Sequence, residues 1–191
     1  MRIVGGALGG RRFAGPPGRE TRPTGERVRE ALGSLLEARD VVRGAAVLDL
    51  FAGTGALGFE MLSRGADHAL LVDRDRRAVR SMKESARTLG LDRARVMTLD
   101  LLADAAIVAD RLATEGPFSL VLADPPWSEA ARVPALLLSL SIRGALGPGA
   151  TMVLEHGARE APKLPAGLAS VASYRYGDTA LLVAQAGDAP R

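Results

Sequence analysis

The stretch VLDLFAGTGALGFE, residues 47–60, decides the fold of this 191-residue chain. It joins an apolar run to a glycine turn and then to the start of a helix. Gly53, Gly55 and Gly58 match the pattern G-x-G-x-x-G, which is typical of a strand–turn–helix unit with a ligand at the turn. Because glycine lacks a Cβ, the backbone of such a turn lets part of a ligand approach closely. The motif predicts a ligand-binding α/β unit and favours no single ligand.

Apolar runs alternate with helical stretches along most of the chain. The apolar runs predict strands at 46–51, 69–73, 95–100, 119–124 and 151–156. The stretches between them predict helices at 56–64, 75–89, 102–114 and 129–141. Strands that are apolar almost throughout are typical of a parallel sheet covered by helices on both faces. Runs at 170–175 and 179–185, joined by YGD, predict an antiparallel hairpin at the sheet edge. We therefore expect a doubly wound, Rossmann-like α/β sheet, mostly parallel, with an antiparallel C-terminal hairpin.

The N-terminal segment differs from the rest. Residues 1–23 are rich in glycine and proline, and their short runs RIV and RRF predict a small hairpin or an extended arm. The stretch TGERVREALGSLLEAR then has the apolar spacing of one helix face, with Thr24 as the expected N-cap. Its expected core-facing residues are Val28, Ala31, Leu32, Leu35 and Leu36. Arg27 and Arg29 are then expected on the outer face. We place an N-terminal extension at 1–40 and a second domain at 41–191.

Positive charge is concentrated in this extension. The whole chain has a formal net charge of +3, whereas residues 1–29 carry +5 and residues 30–191 carry −2. A guanidinium offers a planar pair of donors to a phosphate. The clustering indicates a nucleic-acid partner. The residues expected to contact it are Arg11, Arg12, Arg22, Arg27 and Arg29.

Composition excludes several classes of protein and site. The chain has no cysteine, so disulfides, thiolate metal sites and thiol nucleophiles are ruled out. No run approaches the roughly 18 to 20 apolar residues of a membrane span, and the N-terminus lacks the apolar core of a signal peptide. His68 and His156 have no second histidine nearby, so we expect no metal. We expect a cytoplasmic monomer.

Three acids lie in or just after the first three predicted strands. Asp49 precedes the glycine turn, Asp73 ends the second strand and Asp100 ends the third. The carboxyl ends of such strands line the crevice in which these sheets bind ligands. A carboxylate at Asp49 would repel a pyrophosphate at short range, whereas it would attract the ammonium and sulfonium of S-adenosylmethionine. Asp73 then suits the ribose hydroxyls and Asp100 the adenine amine. Alternatively, these acids cap the following helices, for which Asp100 is eligible.

The stretch LADPPW, residues 122–127, places a carboxylate and the only tryptophan just after a predicted strand. An exocyclic amine on a nucleobase is a poor nucleophile because its lone pair is delocalised into the ring. Asp124 and the carbonyl of Pro125 can each accept one N–H of such an amine and turn its lone pair towards a methyl donor. Trp127 can stack on a flipped base. The alternative is a strand ended by prolines and followed by a core tryptophan.

With these residues in view, the sequence resembles the bacterial family of 16S ribosomal RNA guanine-N2 methyltransferases, within the class I enzymes that depend on S-adenosylmethionine. The resemblance runs from MRIVGG and TRPTGERVREALG through LADPPW to YGDTALL. It implies methyl transfer to N2 of a guanine in 16S rRNA, within the small ribosomal subunit or its assembly intermediate. The implied cofactor contacts are Asp49, Gly53, Gly55, Asp73 and Asp100. The catalytic set is Asp124 and Pro125 at the target amine, with Trp127 as the stacking surface.

Trp127 departs from the family pattern, which has tyrosine or phenylalanine after the two prolines. Stacking survives the change, but the larger ring can alter the pocket, and tryptophan here also occurs in adenine-N6 methyltransferases. An adenine-N6 methyltransferase acting on RNA or DNA is therefore the alternative. Asp49 argues against a nicotinamide-dependent oxidoreductase. The complete set of pocket residues argues against an RNA-binding module without activity.

Overall fold

The computed structural model describes residues 1–15 and 25–186. This part of the chain contains five α-helices, seven β-strands and two short 3-10 helices. It falls into two compact units, Met1–Leu99 and Asp100–Arg191. No helix in the described ranges is long and apolar enough to cross a membrane.

The first unit contains three parallel strands and three helices. Its strands, paired in the order β3-β2-β1, are β1 (Ala46–Leu50), β2 (His68–Asp73) and β3 (Ala94–Thr98). Its helices are α1 (Glu26–Ala38), α2 (Ala56–Ser63) and α3 (Arg76–Leu89). Leu50 is paired with Val72, and Asp73 with Thr98. The three strands therefore end at one edge, and the turn after β1 lies beside the end of β2.

The second unit contains four strands in the order β4-β5-β7-β6. They are β4 (Phe118–Ala123), β5 (Leu146–Gly157), β6 (Leu168–Tyr176) and β7 (Thr179–Ala186). Its helices are α4 (Ala105–Ala113), the 3-10 helix Trp127–Arg132 and α5 (Val133–Ile142). Strands β4 and β5 are parallel, whereas β7 runs antiparallel to both β5 and β6. The predicted C-terminal hairpin is thus present as β6 and β7.

Most of the apolar runs are buried as expected for covered strands, whereas β3, at the end of the strand order, has no buried residue. Val47 and Leu48 in β1, and Leu120 and Val121 in β4, are fully buried. Every predicted strand and helix is present, most with ends within three residues of the prediction. Helix α5 begins at Val133 rather than at 129, because the chain first makes the 3-10 turn and Pro134 then lies in the first turn of the α-helix. Proline is tolerated there because the N–H that it lacks would have no intrahelical acceptor in the first turn of a helix.

The predicted N-terminal hairpin is confirmed for the described residues 1–15. Arg2 and Arg12 form an antiparallel bridge, and the Ile3 amide donates to the Arg11 carbonyl at 2.9 Å. Ile3 is fully buried, and the Phe13 ring meets that of Phe59 edge-on with centroids 5.5 Å apart. This segment therefore packs against α2 within the first unit.

Helix α1 corrects one prediction. Leu32 and Leu36 are buried as expected, but Arg29, predicted on the outer face, is only 2% exposed. Arg29 lies three residues before Leu32 and seven before Leu36, so it belongs to the same helix stripe as the core. Arg27 is exposed as predicted. The helix begins at Glu26 with Gly25 as its N-cap. Thr24, predicted for that position, lies outside the described residues.

Candidate active site

The glycine turn between β1 and α2 has the backbone geometry that its sequence predicts. Gly53 and Gly55 have φ values of +54° and +79°, a region that side chains with a Cβ rarely adopt. Gly55 is also the N-cap of α2. A Cβ added at Gly53 would meet only the Phe51 carbonyl, at 3.7 Å. Among the described residues, no other atom lies within 4 Å of that position, which leaves room for a ligand beside Gly53.

The other two glycines serve packing within the first unit. A Cβ added at Gly55 would lie 2.7 Å from the Phe59 ring and 2.9 Å from Leu71. One added at Gly58 would lie 2.9 Å from Leu71 and 3.0 Å from the Asp49 carboxylate. These glycines let α2 lie close against the neighbouring strands. The motif predicts that other atoms approach these glycines closely. At Gly55 and Gly58, those atoms are side chains of the protein itself.

Asp49 stabilises the start of α2. Its side chain is 1% exposed, and Oδ2 accepts the amide of Gly58 at 2.8 Å. The N-cap residue, Gly55, has no side chain with which to accept an amide of the first turn. Asp49 supplies that acceptor from β1, as an N-cap side chain does in other helices.

Asp73 links the end of β2 to the glycine turn. Its Oδ2 accepts the Gly53 amide at 2.8 Å, and its Oδ1 accepts the Asp75 amide at 2.8 Å. A carboxylate has about four lone-pair sites. Asp73 can therefore accept two further hydrogen bonds, as the two hydroxyls of a ribose require.

Asp100 is exposed and follows β3 rather than ending it. Its Oδ1 accepts the amide of Leu102 at 3.0 Å, which stabilises the local turn. Helix α4 is capped by Asp104, whose Oδ1 accepts the Ala106 amide at 2.9 Å. The alternative that Asp100 caps the next helix is therefore wrong.

The DPPW segment follows β4 directly. Asp124 is half-buried, Pro125 is buried and Trp127 is 42% exposed. The alternative of a core tryptophan is therefore wrong. Trp127 begins the 3-10 helix, which is tied down by Arg132, whose Nη2 donates to the Leu102 carbonyl at 2.6 Å.

Trp127 lines a cleft of about 840 Å³ within the second unit. The other wall is the loop after β5, which contributes Arg159 and Lys163 as cations and Glu160 as an acid. The sequence did not reveal this loop, because residues 158–167 carry no periodic apolar pattern. Its one signal was two basic residues in a stretch with proline and glycine.

The basic residues of the N-terminal extension separate into two groups. Arg11, Arg12 and Arg27 are exposed, whereas Arg29 is buried and cannot contact a partner from this position. Burial lowers the pKa of the Arg29 guanidinium, and nearby Glu60 and Glu26 raise it. Arg22 lies outside the described residues.

Glu60 is a functional candidate that the sequence did not reveal. It is fully buried in α2 and accepts the amides of Val4 at 2.8 Å and Gly5 at 2.7 Å. Arg64 donates to it at 2.9 Å and also pairs with Glu37. Glu60 thereby attaches the N-terminal hairpin to α2. Among the described residues, no group of three or more acidic, histidine or cysteine side chains could hold a metal.

A family model and several curated relatives match this chain. The model described as conserved hypothetical protein 95 matches residues 1–185. "Putative rRNA methyltransferase YlbH" of Bacillus subtilis (strain 168) is 34% identical over 185 residues, 96% of this chain and 97% of the relative. "Ribosomal RNA small subunit methyltransferase D" of Escherichia coli (strain K12) is 38% identical over 128 residues, 66% of this chain and 60% of the relative.

Solved structures share the fold. "Putative methyltransferase yhhF from Escherichia coli" matches with a TM-score of 0.81 and 31% identity over 97% of both chains. The predicted Rossmann-like α/β fold is confirmed. The structure titled "Crystal structure of SMU.776, a putative methyltransferase complexed with SAH" has a TM-score of 0.62 and 14% identity over 84% of this chain and 48% of that one. At this identity the match shows a shared fold. The chain therefore belongs to the family described as conserved hypothetical protein 95, which confirms the S-adenosylmethionine-dependent rRNA methyltransferase family that its motifs predicted.

Proposed function

We propose that this protein transfers a methyl group from S-adenosylmethionine to the exocyclic N2 amine of a guanine in 16S rRNA, within the small ribosomal subunit or its assembly intermediate. The relative named ribosomal RNA small subunit methyltransferase D supports this substrate. The observation that carries the proposal is the arrangement after β4, where Asp124 and Pro125 precede a tryptophan that is 42% exposed beside a cleft.

The glycine turn fits the cofactor. The open space in front of Gly53 admits a ligand, and Asp73 has acceptor capacity left for ribose hydroxyls. The buried charge of Asp49 attracts the cationic methionine end. Asp100 is exposed and can accept the adenine amine through its carboxylate. Gly55 contributes by allowing the turn and helix to pack.

The chain's own residues activate the amine. The Asp124 carboxylate accepts one N–H of the guanine amine and the Pro125 carbonyl accepts the other, which turns the nitrogen lone pair out of conjugation with the ring. S-adenosylmethionine, when bound, supplies a methyl group whose bond to the sulfonium breaks as the nitrogen–carbon bond forms. The methylated nitrogen then loses one proton to Asp124 or to water, so that the product amine is neutral. Trp127 holds the base by stacking.

Exposed arginines supply contacts to RNA phosphates in this proposal. Arg11, Arg12 and Arg27 lie on the N-terminal extension, and Arg22 belongs to the same basic segment. Arg159 and Lys163 supply positive charge at the cleft beside Trp127. We further propose that the extension at 1–40 contacts RNA, that 41–191 is the methyltransferase domain, and that the protein is a cytoplasmic monomer.

The first experiment incubates the protein with methyl-labelled S-adenosylmethionine and small ribosomal subunits that lack the modification. The RNA is digested and the labelled nucleoside is identified by mass spectrometry. N2-methylguanosine in 16S rRNA is the expected product. Label in N6-methyladenosine, or in no rRNA nucleoside, would contradict the proposal.

A variant tests the catalytic assignment. Asp124→Ala should abolish methyl transfer and leave cofactor affinity, measured by calorimetry, unchanged. Asp110→Ala is the matched control, since Asp110 is an exposed acid whose observed partner is the exposed Arg143. Retained transfer in Asp124→Ala would overturn the assigned mechanism.

The second candidate is an adenine-N6 methyltransferase acting on RNA or DNA. It is favoured by one observation, the tryptophan at position 127. Adenine also presents an exocyclic amine to Asp124 and Pro125. The nucleoside found in the labelling experiment distinguishes the two candidates directly.

A further inference from the structure

The end of β5 carries a buried acid that the proposed mechanism does not use. Glu155 is 6% exposed and lies two residues before Gly157, the last residue of the strand. Ala123 of β4 is paired with Leu154 of β5. Continuing this register by one residue sets Asp124 beside Glu155. Neighbouring strands are about 4.8 Å apart, so two carboxylates at this spacing can reach adjacent groups of one ligand.

Trp127 identifies the face of the sheet that these residues share. A Cβ added to Gly157 would lie 3.4 Å from two ring atoms of Trp127, Cδ2 and Cε3. The indole therefore covers the face of β5 towards which position 157 projects. Side chains alternate along a strand, so Glu155 projects to the same face as position 157. The indole and Glu155 consequently lie on one face at one end of β5.

We propose that Glu155 determines the choice of base by accepting the N1 hydrogen of guanine while Asp124 accepts from the adjacent N2 amine. This inference rests on the proposed methyl transfer to a nucleobase. Guanine presents two neighbouring donors on its Watson–Crick edge, N1–H and the N2 amine. Adenine presents an N1 lone pair beside its exocyclic amine. A carboxylate at Glu155 thus matches guanine and repels adenine.

This role separates base choice from stacking. An indole stacks on any base because every base has a π-face. Hydrogen bonds to the Watson–Crick edge distinguish one flipped base from another. Specificity for guanine then depends on the acid at 155, and the tryptophan at 127 is compatible with it.

The test compares guanine with 2-aminopurine, which keeps the N2 amine but has a lone pair at N1. Small subunits are reassembled from rRNA that carries either base at the labelled position, and kcat/KM is measured for each. A site built to bind an N–H strongly rejects an analogue that lacks it. We expect the wild-type protein to favour guanine at least about a hundredfold, and Glu155→Gln to reduce this preference at least tenfold. The glutamine amide can donate to the N1 lone pair of 2-aminopurine.

Guanine and 2-aminopurine differ in the intrinsic reactivity of their amines, and this difference is the same for the wild-type protein and for Glu155→Gln. Dividing the wild-type preference for guanine by that of the variant therefore cancels it. Glu84→Gln is the matched control, because Glu84 is an exposed acid on α3 and should leave the preference unchanged. An equal preference in Glu155→Gln and wild type would overturn the inference while leaving the methyltransferase assignment intact. Equal wild-type rates on guanine and 2-aminopurine would overturn it without any variant, even if Glu155→Gln did not fold. Absence of methylation of either base by the wild-type protein would instead contradict the proposed function, and with it this inference.

Discussion

The amide of Gly53 donates to Oδ2 of Asp73 at 2.8 Å, so the carboxylate proposed to hold the ribose also holds the glycine turn in place. The second oxygen of Asp73 accepts the Asp75 amide. Backbone amides of the protein therefore donate to both carboxylate oxygens of Asp73. A ligand at this position would share the carboxylate with two backbone amides.

Replacing Asp73 with asparagine should weaken cofactor binding and destabilise the fold. One of the two side-chain oxygens becomes an NH₂ donor, which faces a backbone amide that is also a donor. An unsatisfied buried donor costs about 1–3 kcal/mol. We expect a loss of this size in chemical denaturation and at least a tenfold loss of cofactor affinity in calorimetry.

Asp75→Asn is the control for Asp73→Asn. Asp75 is the N-cap of α3 and accepts the Arg77 amide at 2.8 Å. Asparagine caps helices about as well as aspartate, so stability and cofactor affinity should stay near the wild-type values. Equal losses in the two variants would refute the role of Asp73.

Alanine substitutions should separate the two glycines of the turn. Gly55→Ala combines a strained φ of +79° with contacts at 2.7 Å to Phe59 and 2.9 Å to Leu71. Strain and overpacking together predict a loss of about 2–4 kcal/mol in the free energy of unfolding. Gly53→Ala meets no contact closer than 3.7 Å and should lose only about 1–2 kcal/mol.

Cofactor binding should show the reverse order in those two variants. A methyl group at position 53 enters the open space in front of the turn, so Gly53→Ala should lose more affinity than its small change in stability explains. Titration calorimetry, at a temperature below the unfolding transition of both variants, measures the cofactor affinity of each. Unchanged affinity in Gly53→Ala would show that the ligand does not approach this backbone.

Glu60→Gln should release the N-terminal hairpin. The glutamine side chain would keep one acceptor for the amides of Val4 and Gly5 but would lose the charge that pairs with Arg64. Breaking a buried ion pair costs about 3–5 kcal/mol. Hydrogen exchange at the Val4 and Gly5 amides should accelerate together with this loss.

Glu37→Gln provides the comparison, because Glu37 pairs with the same Arg64 from a side chain that is 45% exposed. Exposed ion pairs contribute under about 1 kcal/mol. Hydrogen exchange at Val4 and Gly5 should therefore stay slow in this variant. Similar acceleration in both variants would mean that the Arg64 charge, and not Glu60 itself, holds the hairpin.

The exposed pair of Arg2 and Glu26 should depend on pH in one direction. The hydrogen bond from Arg2 lowers the pKa of Glu26 below its usual value of 4.5. A lowered pKa in the folded state means that the stabilisation is present above the unfolded-state pKa and is lost as the pH falls through the folded-state pKa. NMR titration should place the pKa of Glu26 below 4.5, and Arg2→Ala should return it towards that value. An unchanged midpoint in Arg2→Ala would contradict the pairing.

Charge reversal at Arg11 and Arg12 should weaken RNA binding. Each lost phosphate contact reduces the slope of log K against log salt by roughly 0.7–0.9. The double variant should therefore bind less tightly and with a flatter salt dependence in filter binding. Arg143→Glu, in the second unit, should leave the slope unchanged. An unaltered slope in the double variant would exclude the hairpin from the RNA interface.

Arg29 should behave differently from these exposed arginines. Arg29→Met fills a similar volume, and replacing a buried charge by an apolar side chain is often neutral or stabilising. RNA affinity and salt slope should both persist. A flatter salt dependence of RNA binding in Arg29→Met would show that Arg29 contacts RNA, as the sequence predicted.

These residues show what the sequence can and cannot predict. The strands were predictable because a covered parallel strand must be apolar throughout, and the glycine turn because its φ values exclude most residues. Arg29 was placed on the outer face because charged side chains are usually exposed, although its position three residues before Leu32 puts it on the buried stripe of α1. The role of Glu60 in holding the hairpin gave no signal, since the two backbone amides that it accepts are more than fifty positions away. The loop that carries Arg159 and Lys163 has no apolar periodicity, so no sequence pattern predicted it.

Helix α2 has eight residues and is therefore about 12 Å long. Its first turn is held by Asp49 and begins at the glycine turn, whereas Glu60 and Ser63 near its other end hold the N-terminal hairpin. An element this short has no internal hinge, so a displacement at one end is transmitted to the other. In the proposed function the hairpin contacts RNA and the turn holds the cofactor, so we expect each of the two ligands to change the affinity of the protein for the other by the same factor.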